Sequence, residues 1–210
     1  MSSVDPEPGV FIAFEGGDGA GKTTQIERLH GWLSQQGREV VVTREPGGTP
    51  VGQQIRQLVL HGDDLAPRAE ALLFAADRAH HVATVVRPAL ARGAVVLQDR
   101  YLDSSVAYQG AGRDLDADEV QRLSLWATQD LRPDLTVLLD VSPETGRARR
   151  GDVHDRLESE SDDFHDRVRR HFLSLAEAEA HRYLVVDAAL PVDEIAAIVQ
   201  ERVAEIVGVA

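Results

Sequence analysis

The chain has 210 residues and a mass of 22.9 kDa, with 22 basic against 35 acidic side chains and a formal charge of −13. That balance excludes sequence-independent nucleic-acid binding, which needs an accessible basic surface, but not a small anion held by backbone amides and a few Arg. Cysteine is absent, which excludes disulfides and thiolate chemistry, and the length fits one domain.

Met1 to Gly9 carries two Pro, two acids and no basic residue, and so lacks the charged and apolar parts of a signal peptide. It reads as a mobile tail. No apolar run approaches the ~18 residues of a membrane span. A cytoplasmic protein without a membrane partner is the expectation. Val10–Glu15 is a short apolar run ending in an acid. Gly16–Gly21 follows, then an amphipathic helix with Ile26, Leu29 and Leu33 on one face, ended by Gly37. Val40–Thr43, Val95–Gln98, Leu135–Leu139 and Tyr183–Val186 are further short apolar runs of the kind that fill a parallel sheet buried on both faces. Helical patterns occupy Arg68–Leu90, Ala117–Leu131, Asp163–Ala180 and Val192–Val207. Five strands alternating with helices predict an α/β fold: three layers around a five-stranded parallel sheet flanked by helices. Ligands in such sheets bind beyond the carboxyl ends of the strands.

Gly16-Gly17-Asp18-Gly19-Ala20-Gly21-Lys22-Thr23 matches G-x-x-x-x-G-K-S/T between a strand and a helix, the pattern of a P-loop NTPase fold. Glycines let the backbone curl so that N–H groups face phosphate oxygens, and the helix dipole points to the same place. This assigns ATP phosphates to Gly16 through Thr24. Lys22 reaches the β- and γ-phosphates, and Thr23 is a Mg²⁺ ligand. Lys22 is also the chain's single Lys among 21 Arg. A compact ammonium fits a tight backbone cradle that a planar guanidinium does not.

Asp99, ending the third strand, is the expected second metal ligand. Asp140 ends the fourth strand in the same way and reads instead as a cap on a turn. Asp99 is preferred because Arg100, Tyr101, Ser104, Ser105, Tyr108 and Gln109 follow at once, a polar cluster excessive for an ordinary loop. After the second strand, Glu45, Pro46, Gly47 and Gly48 make an irregular turn, and Arg56 lies in the helical segment beyond it. Phe74 and Arg78 are four residues apart and share a helix face. Together they suit stacking on a base and bonding to its edge. Singly, Phe74 also reads as core and Arg78 as a solvated charge. Adjacent His80 and His81, and His165 with His171, have no metal-binding spacing and read as surface residues.

These motifs carry a resemblance to bacterial thymidylate kinases. The matching runs are Phe14–Thr24, Arg44–Thr49 (REPGGT), Leu73–Arg78, Asp99–Gly110 (DRYLDSSVAYQG), Arg132–Leu135 and Asp155–Glu158. The resemblance implies a nucleoside monophosphate kinase fold that transfers the γ-phosphoryl of ATP to dTMP with Mg²⁺, acting as a homodimer. It implies that Phe74 stacks on thymine, that Arg78 and Gln109 read its edge, and that Arg56 and Arg100 hold the dTMP phosphate. It puts Asp18 near the sugar 3′-hydroxyl and Tyr108 against the 2′ position. Ser105 joins this acceptor site, and Glu45 and Asp99 lie near the metal and the phosphates.

Some members of that family carry an Arg in the phosphate loop, where this chain has Ala20. The cation must then come from elsewhere. Arg147, Arg149, Arg150 and Arg156 surround Gly151 and resemble the family's lid, at about residues 147–160 of a single domain spanning 10–210. A solvated helix–loop face is the other reading of that segment. Lys22, Asp99, Arg100, Arg149 and Arg156 are the catalytic candidates. Two further functions are compatible with a phosphate loop. One is a kinase of deoxynucleosides or of another pyrimidine monophosphate. The other is a non-catalytic nucleotide switch, but the guanine-reading N-K-x-D motif of a GTP switch cannot occur with Lys22 as the only Lys.

Overall fold

A computed structural model describes residues 9–113, 115–149 and 155–209. Five strands appear where the apolar runs lie: β1 (Val10–Glu15), β2 (Val40–Arg44), β3 (Val95–Asp99), β4 (Leu135–Asp140) and β5 (Tyr183–Asp187). Four of them run one residue further than expected, onto Arg44, Asp99, Asp140 and Asp187. The reason is register. Arg44 pairs with Asp99 across β2 and β3, and Asp140 pairs with Asp187 across β4 and β5, so the charged residues still belong to the ladder. All pairings are parallel, in the order β2-β3-β1-β4-β5.

The helices are α1 (Lys22–Gln35), α2 (Pro50–His61), α3 (Pro67–His81), α4 (Arg87–Ala91), α5 (Leu102–Ser105), α6 (Ala117–Thr128), α7 (Pro143–Arg149), α8 (Asp162–Ala178) and α9 (Val192–Val207). Central β1 is buried on both faces. Val10, Ile12 and Phe14 pack with Leu29, Leu33, Val199 and Val203 of α1 and α9, while Phe11 and Ala13 pack with Val82, Tyr101 and Leu102 on the opposite face. Strand alternation thus sends successive β1 side chains into two different cores.

Three local features differ from the expected pattern. The long helix at 68–90 is α3 and α4 joined through one π-helical turn, Val82–Val86. The polar cluster after β3, to which the apolar pattern assigns no element, is helical: α5 passes into a π-helical stretch at Val106–Gly112. Ser104, Ser105 and Gln109 on it are buried, so their polarity faces the interior rather than water. Gly9, assigned to the tail, donates its N–H to the Leu90 carbonyl at 3.2 Å and lies against the end of α4. The rest of that tail, residues 1–8, and residues 150–154 of the expected lid lie outside the described residues. No helix among the described residues is long and apolar enough to cross a membrane.

Candidate active site

β1 delivers the chain directly into the phosphate loop. Gly16 has φ +130° and Gly19 φ +79°, conformations that side chains disfavour. Space forbids side chains there as well: a Cβ on Gly16 would lie 2.3 Å from the Leu139 carbonyl oxygen, and one on Gly19 2.3 Å from that of Gly146 in α7. The loop is therefore wedged against β4 on one side and α7 on the other. Its open side borders a cavity of about 750 Å³, which also touches Lys22, Thr23, Thr24, Asp99 and Arg100. The amino end of α1, fourteen residues long, faces the same space.

Lys22 is buried and donates to the carbonyls of Gly16 at 3.2 Å and Gly17 at 3.1 Å. Burial, and then the nearby Arg100 charge, push its ammonium pKa down. Asp99, Asp18 and Glu15 oppose that shift without cancelling it, and a phosphate would add negative charge beside the ammonium. Across the loop, Arg100 at the end of β3 has φ 64°, a left-handed conformation for a non-glycine. Its guanidinium donates to Gly16 O and to Ser104 Oγ, each at 3.1 Å, and forms an ion pair with Asp18. It also lies 5.0 Å over the Tyr108 ring. Burial pushes the Asp18 carboxyl up, but Arg100 and Lys22 outweigh it and hold it at about 2. Tyr108 donates its hydroxyl to the other Asp18 oxygen at 3.2 Å. Asp18, Arg100 and Tyr108 thus form one bonded group between the phosphate loop and the rest of the cavity.

The acceptor-side candidates converge on the same cavity. Phe74, Arg78, Ser105 and Gln109 line it, together with Glu45 and Arg56. The surface alternative for Arg78 does not hold, because its side chain is essentially inaccessible. It donates to Glu45 at 2.7 Å, to Ser124 and Ser105 at 3.1 Å each, and to the Tyr101 carbonyl at 3.2 Å. Glu45 was expected near a metal, but its two oxygens are taken by Arg78 and by His81 Nδ1, the latter at 2.8 Å. His81 is accordingly not a surface residue. The α3 helix turns it inward between Glu45 and Thr43, whose hydroxyl lies 2.6 Å from its Nε2. Nothing in the local spacing marks it, because both partners lie about forty residues upstream.

Arg56 donates to the Pro46 carbonyl at 3.1 Å. Burial and then the neighbouring Arg44 lower its pKa, with Arg100 acting in the same direction. Arg44, absent from the expected set, also lines the cavity. Three cations approaching one another across a cavity form an anion site. Asp99 supplies a complementary feature: its Oδ1 is buried and has no hydrogen-bond partner. An acceptor-only oxygen with no donor suits a cation, so Asp99 and Thr23 on this cavity fit Mg²⁺. No trio of His, Asp or Glu among the described residues could hold a metal unaided. Phosphate and water oxygens would have to complete the shell. Asp140 takes no part, since both its oxygens accept from Arg169.

The two lid candidates separate. Arg149 lines the cavity and donates to the Ala188 carbonyl at 2.8 Å, beside Leu190 and Val192. Arg156 does not line it. Its guanidinium is turned onto the Val59 carbonyl at the end of α2 and onto Glu70, a fully buried acid that a residue-by-residue reading passed over. Gly16 and Gly17 do not line the cavity either, and offer their carbonyls to Lys22.

A parallel sheet with a glycine loop and Lys at the end of its central strand, and a second cationic site across one cavity, defines a P-loop nucleotide phosphotransferase. The family model for thymidylate kinase matches residues 14–199. Curated relatives named thymidylate kinase agree along nearly the whole chain. The one from Clavibacter michiganensis subsp. michiganensis is 66% identical, covering 92% of this chain and 94% of the relative. That from Leifsonia xyli subsp. xyli is 65% identical over 94% and 95%, and that from Bifidobacterium longum 55% over 94% and 98%. The chain belongs to the thymidylate kinase family. It is an enzyme, a kinase that phosphorylates dTMP with ATP.

Proposed function

We propose that one cavity holds both substrates, with ATP phosphates on the loop from Gly16 to Thr24 and dTMP between Phe74 and Arg100. The observation that carries this assignment is Arg100, whose guanidinium is bonded to the phosphate loop at Gly16 and Asp18 and also borders the acceptor cavity. One cation thus reaches both sides of the bond that must form. Phe74 stacks on thymine, and Arg78 and Gln109 meet its edge. Arg44, Arg56 and Arg100 hold the phosphate. An acceptor lacking a phosphate would leave those cations without an anion, which disfavours a nucleoside substrate.

Phosphoryl transfer is largely positioning plus charge stabilisation. Lys22 exchanges its two loop carbonyls for phosphate oxygens, and Arg100 faces the charge that develops between donor and acceptor. Mg²⁺, held by Thr23, Asp99 and phosphate oxygens, would neutralise the β- and γ-phosphates. Asp18 stays ionised at any physiological pH and can accept from a 3′-hydroxyl, while Tyr108 beside it closes the 2′ side. Arg149, next to Leu190 and Val192, serves the donor nucleotide.

The same reading keeps residues 10–210 as one cytoplasmic kinase domain with a lid at about 147–160, working as a homodimer. Leu58, Leu72 and Trp126 support the dimer: they are exposed on α2, α3 and α6, and α3 packs against both other helices. A coupled ADP-release assay with ATP, Mg²⁺, thymidine and a panel of monophosphates tests the substrate. Turnover is expected to be fastest with dTMP. Faster turnover with thymidine, UMP or AMP would reject the assignment.

A further inference from the structure

Glu70 lies one helical turn before Phe74 on α3, with no solvent exposure. Its carboxylate accepts from Gln109 Nε2 at 3.1 Å and from Arg113 at 3.3 and 3.4 Å, and forms an ion pair with Arg156. Two guanidinium groups keep one buried acid compensated. A carboxylate is acceptor-only, so the Gln109 amide can meet it only through its NH₂. The reverse orientation would set a carbonyl oxygen against a carboxylate oxygen in a dry site. Nε2 is therefore held on Glu70 through one of its two N–H groups, and Oε1 is the end that Gln109 offers to the cavity it lines. Among the described residues, no protein group donates to that oxygen.

We infer that Glu70 is a positioning residue which fixes the Gln109 amide so that its oxygen faces the base. The chemistry selects one class of acceptor. Thymine and uracil present an N3–H donor, which an amide oxygen accepts. Cytosine presents a bare N3 acceptor, and two acceptors face to face leave both unsatisfied. Glu70 would thus exclude cytosine nucleotides without touching them. The inference rests on the assignment of Phe74, Arg78 and Gln109 to the base.

The test is the ratio of kcat/KM for dTMP to that for dCMP. It is measured in the wild type, Glu70→Gln, Gln109→Ala, the double variant carrying both, and the exchange Glu70→Gln with Gln109→Glu. A ratio taken within one preparation is independent of its folded fraction, and Arg78 is common to every variant. Glu70→Gln, which frees the amide to turn, is expected to lower the ratio roughly ten- to hundredfold. In the Gln109→Ala background it should lower the ratio no further. The exchange restores an acceptor at position 109 held by an NH₂ at 70, and should return the ratio to within about threefold of wild type. A merely structural Glu70 would move stability but none of these ratios. An unchanged ratio in Glu70→Gln, with a lowered one in Gln109→Ala, would overturn the inference. So would an exchange variant no more selective than Gln109→Ala, a comparison available even if Glu70→Gln fails to fold. An unchanged ratio in Gln109→Ala would instead reject the base site itself, and the inference with it.

Discussion

Arg78 donates its Nε–H to Glu45 Oε2 at 2.7 Å, and neither side chain is more than 2% exposed. The pair joins α3 to the turn after β2, and His81 holds the other oxygen of Glu45. A buried ion pair contributes little net stability compared with an apolar replacement, but removing one partner strands the other. Glu45→Ala is therefore expected to cost about 3–5 kcal/mol of folding stability. Urea denaturation followed by circular dichroism measures it. A loss below about 1 kcal/mol would mean that water or Asp77 takes over the vacated position.

Lys22 is the only side-chain amine in the chain. Acylation under mild conditions should abolish activity at one modification beyond the N-terminus, and ATP with Mg²⁺ should slow that modification. Lys22→Met is expected to lower kcat by roughly 10²–10³-fold, the scale for removing one preorganised charge from a transition state. Mass spectrometry alongside the kinetic assay links stoichiometry to activity. Full turnover after complete Lys22 modification would contradict its place at the phosphates.

Arg149 and Arg156 should fail differently. Arg149 borders the cavity beside Ala188, Leu190 and Val192, so Arg149→Ala should raise KM for ATP by roughly tenfold or more, the value of one charge-assisted contact. Arg156 bonds Val59 and Glu70 away from the cavity, so Arg156→Ala should leave KM for ATP within about twofold and act on the acceptor side instead. Steady-state kinetics with each substrate varied in turn separates the two. Equal effects on ATP would show that Arg156 turns into the cavity during turnover.

Glu15 ends β1 wholly buried, accepting from the N–H groups of Tyr101 and Ser104 and from the Ser104 hydroxyl. Burial, and then the charge of Asp103, raise its pKa from 4.5 to about 7. The folded state thus binds a proton that the unfolded chain has already released. Stability from this group is complete below about pH 4.5 and is lost as pH rises to about 7. Glu15→Gln, which cannot ionise, should therefore compare more favourably with wild type at pH 8 than at pH 5, by on the order of 1–3 kcal/mol. Paired denaturation curves at the two pH values measure the difference. A constant difference would mean that Glu15 stays ionised when folded.

The strands were legible because a parallel sheet buried on both faces leaves an unbroken apolar signature, and β1 shows it in every residue from Val10 to Phe14. The phosphate loop was legible because glycine, Lys and Thr at fixed spacing meet a single stereochemical demand. The helical course of Ser104 to Gln109 was not legible, because polar residues normally mark water, whereas here they face a cavity. Glu70 and His81 were missed for a common reason. Each acts through partners far along the chain, and only the packing of α3 against the turn after β2 and the helix after β3 brings them together. Arg156 was read from a short motif, and a motif does not say which way a guanidinium turns.

The contact between the phosphate loop and α7 is made of backbone on both sides. Gly19 leaves no room for a Cβ beneath Gly146, and a Cβ on Gly146 would come within 2.5 Å of the Asp18 carbonyl oxygen. In a saturation-mutagenesis map these positions should appear as two isolated columns of intolerance, far apart in the chain. Neither can be relieved by a compensating change at the other, because each is already the smallest residue available. The seam between the loop and α7 is a place where this enzyme has no neutral neighbours in sequence space.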